Sequence, residues 1–278
     1  MDLNTVTEVG RATLEAYESI DWREGDAWLA GGTWLFSVPQ PHLHRLVDLT
    51  RLGWEPLTVT DAGVSIAATC TIRDLYAFRP ARSDWTAGPL FIQCCEAFLS
   101  SFKVWNSATV GGNICMSLPA GPMTSLAVAL EATYMIWTRD GKVRQVDAAD
   151  FVTGDNANIL EPGDVLRSLD IPVAALKKRT AFRRFSLVKL GRSSALVIGT
   201  VAPATSEFQL SVTAATTKPV RISFASIPDS QSLQDRLSSA IPDEVYFGDP
   251  NGNPAHRKHL TRHFAQQIRT ELAASSTS

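Results

Sequence analysis

Two short stretches of this chain combine residue types that chemistry could use. Residues 29–36 read LAGGTWLF and residues 106–113 read NSATVGGN. Each sets an adjacent glycine pair, Gly31-Gly32 or Gly111-Gly112, behind apolar or small residues and ahead of a polar side chain, Thr33 or Asn113. Paired glycines let backbone N–H groups converge on an anion with no Cβ in the way. A diphosphate gripped from two sides is the chemistry such a pairing suits. The pairs stand about 80 residues apart, so only the fold could bring them together. Either pair alone is more often the mark of a plain turn. Neither has the G-x-G-x-x-G order of a dinucleotide-binding turn or the G-x-x-x-x-G-K-[ST] of a P-loop.

Other reactive residues are sparse. The four cysteines, Cys70, Cys94, Cys95 and Cys115, form no C-x-x-C pair and have no histidine nearby in sequence. They read as small buried hydrophobes, with Cys94 and Cys95 inside a helical, apolar segment. His259 and His263 fall four apart among Arg and Lys, which reads as a solvated basic helix face. No metal or iron–sulfur cluster is expected in the chain itself. No Ser-His-Asp, Cys-His or paired-carboxylate arrangement presents itself.

The elements that must position the glycine loops follow from periodicity and turn signals. Residues 5–20 carry Val6, Val9, Ala16, Tyr17 and Ile20 at helical spacing and read as an opening helix. AWLAGG reads as a strand running into the first loop, and residues 45–50 as a second strand. Residues 57–78 read as a hairpin about Asp61-Ala62-Gly63, then a helix with Thr71 as N-cap and Asp74 in its first turn. PLFIQCCEAFLSSF reads as a helix; SLAVALEATYMIW continues helix to strand, with an Asp140-Gly141 turn and a return strand. A strand ends at Pro172, and residues 174–185 read as a basic connector, which places a seam near 172–180. Three strand-like runs (ALVIGTVAPA, EFQLSVTAAT and VRISFASI) and a last helix with Pro254 in its first turn complete the chain.

Composition bounds the rest. The chain has 278 residues, 45% of them hydrophobic and 19% charged, with a net charge of −2. That is an ordinary globular balance with no broad grip on nucleic acid or anionic membrane. No run approaches the length of a membrane span, and the N-terminus lacks an apolar signal core, so a cytoplasmic protein is expected.

Taken together and in order, LAGGTWL and ATVGGNICMSLPAGP resemble the two FAD-binding signatures of the medium, flavin-carrying subunit of the xanthine dehydrogenase and carbon monoxide dehydrogenase family of molybdenum hydroxylases. The resemblance runs on through DVLRSLDIP, FRRFSLVKLGRSSALVIGTVA and the final helix. The chain departs from the family pattern at Trp34, where a small polar residue is common, and at Pro122, where the second signature usually continues to Asp.

The resemblance implies an α+β fold. A PCMH-type FAD-binding domain of two α/β subdomains would span 1–175. A smaller C-terminal domain of the CO dehydrogenase flavoprotein type, with an antiparallel sheet and helices, would span 176–278. It also implies a site. Leu29, Ala30, Gly31, Gly32, Thr33, Trp34, Leu35 and Phe36 would wrap the FAD diphosphate through backbone N–H groups, with the Thr33 hydroxyl as a further donor. Ala108, Thr109, Val110, Gly111, Gly112 and Asn113 would close on it from the other side. Leu166 would pack near the adenine or ring portion and Lys189 would bring a positive charge. By residue type alone, Leu166 would be core in most proteins, Lys189 with nearby Arg192 reads equally as a solvated basic patch, and Trp28, Trp34 and Trp105 are more often packing residues.

The implied role is that of an electron-transfer subunit. A large subunit with the molybdenum cofactor and a small subunit with two [2Fe–2S] clusters would be its partners, in a dimer of heterotrimers. Electrons from the clusters would pass through FAD to an external acceptor. Two readings stay beside this one: a stand-alone flavoenzyme on a related FAD fold, and a non-catalytic binding module whose glycine loops are only turns.

Overall fold

The structure, a computed structural model, describes residues 3–12, 22–80 and 82–274. Strands Glu8–Arg11 (β1), Asp26–Leu29 (β2) and Arg45–Asp48 (β3) form a parallel sheet in the order β1-β3-β2. The expected opening helix is corrected here for residues 8–11, which pair with β3; residues 13–21, with Ala16, Tyr17 and Ile20, lie outside the described part. The reason is tertiary. Arg45 of the central strand donates to Asp26 on one side at 2.9 Å and lies 3.9 Å from Glu8 on the other, which ties both edges to it.

Strands Leu57–Thr60 (β4) and Gly63–Ala67 (β5) form the expected hairpin. Helix Ile72–Ala77 (α1) follows; the Thr71 hydroxyl accepts the Asp74 N–H at 3.1 Å. Helices Pro89–Ala97 (α2), Phe102–Trp105 (α3), Val110–Cys115 (α4) and Pro122–Ala129 (α5) come next. Strands Thr133–Trp137 (β6) and Val143–Asp147 (β7) turn at Asp140-Gly141, and a short helix Ala148–Phe151 (α6) leads to a two-stranded ribbon, Val152–Gly154 (β8) and Ala157–Asn158 (β9). Strand Val165–Pro172 (β10) then inserts between β5 and β6, giving an antiparallel sheet ordered β4-β5-β10-β6-β7. Its bulge falls at Arg167, whose guanidinium stacks over Trp54 at 4.3 Å.

The segment expected as a connector is instead a short helix, Val173–Leu176 (α7), and a strand, Arg179–Phe185 (β11). Its basic residues are strand residues whose charges find partners in the fold: Arg183 donates to Glu271 at 2.5 Å and Arg184 to Ser193 Oγ at 2.7 Å. Strands Ala195–Val201 (β12), Phe208–Thr213 (β13) and Val220–Phe224 (β14) extend it into a four-stranded antiparallel sheet. Helices Ser230–Ala240 (α8) and Pro254–Ala274 (α9) cover that sheet, α9 lying along β11 and β12. Helix α8 is Ser- and Gln-rich, and its signals are local ones: the Asp229 cap on the Ser232 N–H and the buried pair Leu233 and Leu237.

Every residue of α5 is buried, and the helix packs against α2 and α4 on one side and β12 and β13 on the other. It therefore joins the two halves of the α+β fold. The join is partly polar. Ser125 and Thr213 share a buried hydroxyl hydrogen bond of 2.7 Å, and Arg221 forks onto Asp147 at 2.9 and 2.6 Å. No helix among the described residues is long and apolar enough to cross a membrane.

Candidate functional site

The first glycine loop leaves the end of β2 and closes into a single helical turn, the Phe36 N–H donating to the Gly32 carbonyl at 2.9 Å. Gly32 starts that turn in the left-handed region, with φ of 66°. Among the described residues, the amides of Thr33, Trp34 and Leu35 donate to no group of the fold. They form a set of unused donors with the Thr33 hydroxyl beside them. Gly31 has a different task. A Cβ built there would lie 1.7 Å from the Ser107 carbonyl oxygen, so only glycine lets this loop rest on the chain entering the second one.

The second loop is built otherwise. Thr109 caps α4 by accepting the Gly112 N–H at 3.0 Å. Val110 and Gly111 donate to the carbonyls of Cys70 and Ala68, both at 2.9 Å, and Asn113 N–H to Thr109 at 3.0 Å. These amides donate within the fold, unlike those of residues 33–35. Gly111 is glycine because a Cβ would lie 2.4 Å from that of Ala68. Asn113 Oδ1 accepts the Met123 N–H at 3.0 Å and so links α4 to the start of α5.

Both loops open onto one cleft of about 550 Å³. Residues 29–35 line it from one side and Ala108, Thr109, Gly112 and Asn113 from the other. Phe36, Val110 and Gly111 adjoin the cleft without lining it. Leu166 is 2% exposed in the core of the five-stranded sheet, opposite Ile136. Lys189 is exposed on the loop between β11 and β12; Leu190, Arg192 and Ser193 of that loop reach the cleft instead. Trp28 lines the cleft but its indole N–H is held by the Asp164 carbonyl at 2.9 Å, whereas Trp105 packs edge-on against Tyr76.

Sequence reasoning did not single out Phe98, Met116 and Leu118, which give the far wall its apolar character. Their types are those of ordinary core residues, so nothing local marks them. Cys115 also lines the cleft, and burial pushes its thiol up to about 12. Arg192 is the one charged side chain among the described lining residues. The cleft thus offers neutral donors, one cation and apolar walls. It can bind a ligand that combines an anionic group with apolar parts.

A family model described as "FAD binding domain in molybdopterin dehydrogenase" matches residues 10–174. The chain is similar to the carbon monoxide dehydrogenase medium chain of Afipia carboxidovorans, 30% identical over 151 residues, which is 52% of this chain and 50% of that one. It is also similar to a xanthine dehydrogenase of Oryza sativa subsp. japonica, 34% identical over 87 residues, 29% of this chain and 6% of that protein. The chain therefore spans half or less of these two relatives. In fold it is similar to a chain of quinoline 2-oxidoreductase from Pseudomonas putida 86, with a TM-score of 0.79, 20% identity and full coverage of both chains.

Proposed function

The chain belongs to the family of FAD-binding domains of molybdopterin dehydrogenases, and on that premise we propose that it is the FAD-carrying electron-transfer subunit of a molybdenum-dependent hydroxylase. In this reading it receives electrons from the [2Fe–2S] clusters of a small partner subunit. A large partner with the molybdenum cofactor oxidises the substrate, and an external acceptor takes the electrons onward. The assembly is read as a cytoplasmic dimer of heterotrimers. Residues 1–175 are read as the FAD-binding domain and 176–278 as the C-terminal domain.

One observation carries the reading: two glycine loops about 80 residues apart in sequence line the same cleft, with unused donors on one of them. The residues present fit FAD. The amides of Thr33, Trp34 and Leu35 and the Thr33 hydroxyl suit a diphosphate, and Trp34, Phe98, Met116 and Leu118 suit flat ring systems. Bound FAD supplies the redox chemistry, exchanging electrons singly or in pairs. The chain's own part is to hold and orient: Gly31 sets the spacing of the two loops, Gly111 seats the second loop on Ala68, and Asn113 fixes α4 against α5. No carboxylate or imidazole lines the cleft among the described residues. That composition favours an electron carrier over a stand-alone flavoenzyme needing its own acid or base.

Affinity purification of the chain from its native cells tests the reading. Flavin and iron–sulfur absorbance, molybdenum and two further polypeptides are expected together. A lone yellow protein points to the stand-alone flavoenzyme, and a lone colourless one that takes up no FAD overturns flavin binding altogether.

A further inference from the structure

We infer that Arg192 is the residue that selects a diphosphate-bearing ligand for this cleft, an inference that rests on the flavin reading above. It is the one charged side chain among the described lining residues. Its guanidinium makes no hydrogen bond or ion pair with the described residues, whereas Arg183, Arg184, Arg221 and Arg257 of the same half of the fold are all engaged. The backbone around it is nevertheless pinned. Arg184 donates to Ser193 Oγ and to the Gly191 carbonyl, both at 2.7 Å, and the Ser194 N–H donates to Phe185 at 2.8 Å. One arginine is used to fix the loop, and a second is left unpaired at the lip of the cleft.

A diphosphate brings negative charge that neutral amides and apolar walls do not balance. A guanidinium both balances it and matches paired phosphate oxygens with its planar fork. Lys189, three residues earlier, is exposed and does not line the cleft, so the positive charge that a cofactor would meet here is that of Arg192. An exposed, unpaired arginine also contributes little to folding, so its presence is not explained by stability.

The test titrates the full-length chain with FAD, ADP and riboflavin, following flavin fluorescence and heat of binding, in the native protein, Arg192→Gln and Arg192→Lys. Arg192→Gln is expected to weaken FAD and ADP alike, by roughly tenfold, and to leave riboflavin unchanged. It should also flatten the salt dependence of FAD binding. Arg192→Lys should recover part of the loss, and both variants should melt with the native protein. Arg192→Gln protein that binds FAD as tightly as native protein overturns the assignment, and so does an equal loss of riboflavin binding. Native protein that binds none of the three overturns the flavin reading itself, and the inference falls with it.

Discussion

Gly31 lies against the Ser107 carbonyl so closely that a Cβ on it would sit 1.7 Å from the oxygen. This contact joins the first loop to the second. The two sides of the cleft are therefore one packed unit, and the distance between them is set by a backbone-to-backbone contact that no side chain can enter.

Gly31→Ala should accordingly separate the loops. We expect a destabilisation of about 2–3 kcal/mol from overpacking and loss of most FAD affinity, read by urea unfolding and fluorescence titration. Gly111→Ala meets Ala68 in the same way, at 2.4 Å, and should behave alike. Normal FAD titration of folded Gly31→Ala protein would show that the loop contact does not shape the site.

Gly32→Ala should be milder. Its neighbour is the ring of Phe36, 2.6 Å from the built Cβ, and that residue is 42% exposed and free to swing away. What remains is the left-handed backbone, worth roughly 1 kcal/mol. Adding Phe36→Ala should relieve the steric part but not the backbone part. The expected order of melting temperatures is native, then Gly32→Ala, then Gly31→Ala; the reverse order contradicts the assignment of tasks.

Arg257 should be indispensable. It is 1% exposed, paired with Asp249, and donates to the carbonyls of Gly252, Ser194 and Ala214. Arg257→Met takes the guanidinium from Asp249 and from three buried carbonyls, at a cost of about 3–5 kcal/mol. Arg257→Lys should restore little, because one ammonium cannot reach four acceptors set out for a planar fork. Near-native urea midpoints for either variant would refute this.

The Asp147–Arg221 pair predicts a pH dependence. Burial alone would raise the Asp147 carboxyl, but the Arg221 guanidinium and the Ala149 N–H outweigh it and hold it below its ordinary value of 3.8. The lowered value means that the pair's contribution is complete above 3.8 and is lost as pH falls through the native-state value below it. The stability gap between native protein and Asp147→Asn should be constant near neutrality and shrink below pH 3.8. A gap that widens in acid would reverse the sign argued here.

Thiol reactivity offers a probe of the cleft. Burial pushes Cys70 and Cys95 up to about 12 and Cys94 well above the usual thiol range. Cys115 is shifted to about 12 as well, yet it is half-buried and lines the cleft. In native protein at pH near 8, iodoacetamide should modify Cys115 first, slowly, and FAD should protect it. Mass spectrometry showing Cys94 or Cys95 labelled earlier would mean that α2 opens more readily than the cleft wall.

Much of this was legible locally. Thr71 caps α1, Asp140-Gly141 turns β6 into β7, and Pro254 opens α9, because each depends on neighbours within a few residues. The misreadings have a common cause. Glu8–Arg11 carries helical spacing but pairs with β3 through Arg45, and Arg179–Phe185 looks like a basic connector until Glu271 takes the charge of Arg183. Partners so far away in sequence leave no local trace.

The sequence by itself determined that residues 31, 32, 111 and 112 have no Cβ, that polar groups follow them, and that the two loops in order resemble two signatures of one family. Only the tertiary structure decided what those features do. It set Gly31 on Ser107 and Gly111 on Ala68, left the amides of residues 33–35 unused while giving those of residues 110–113 to the fold, and brought Arg192 rather than Lys189 to the cleft. Backbone permissiveness is a property of one residue, whereas an unsatisfied donor or an unpaired charge is defined by every group that comes near it, and those groups are chosen by the fold.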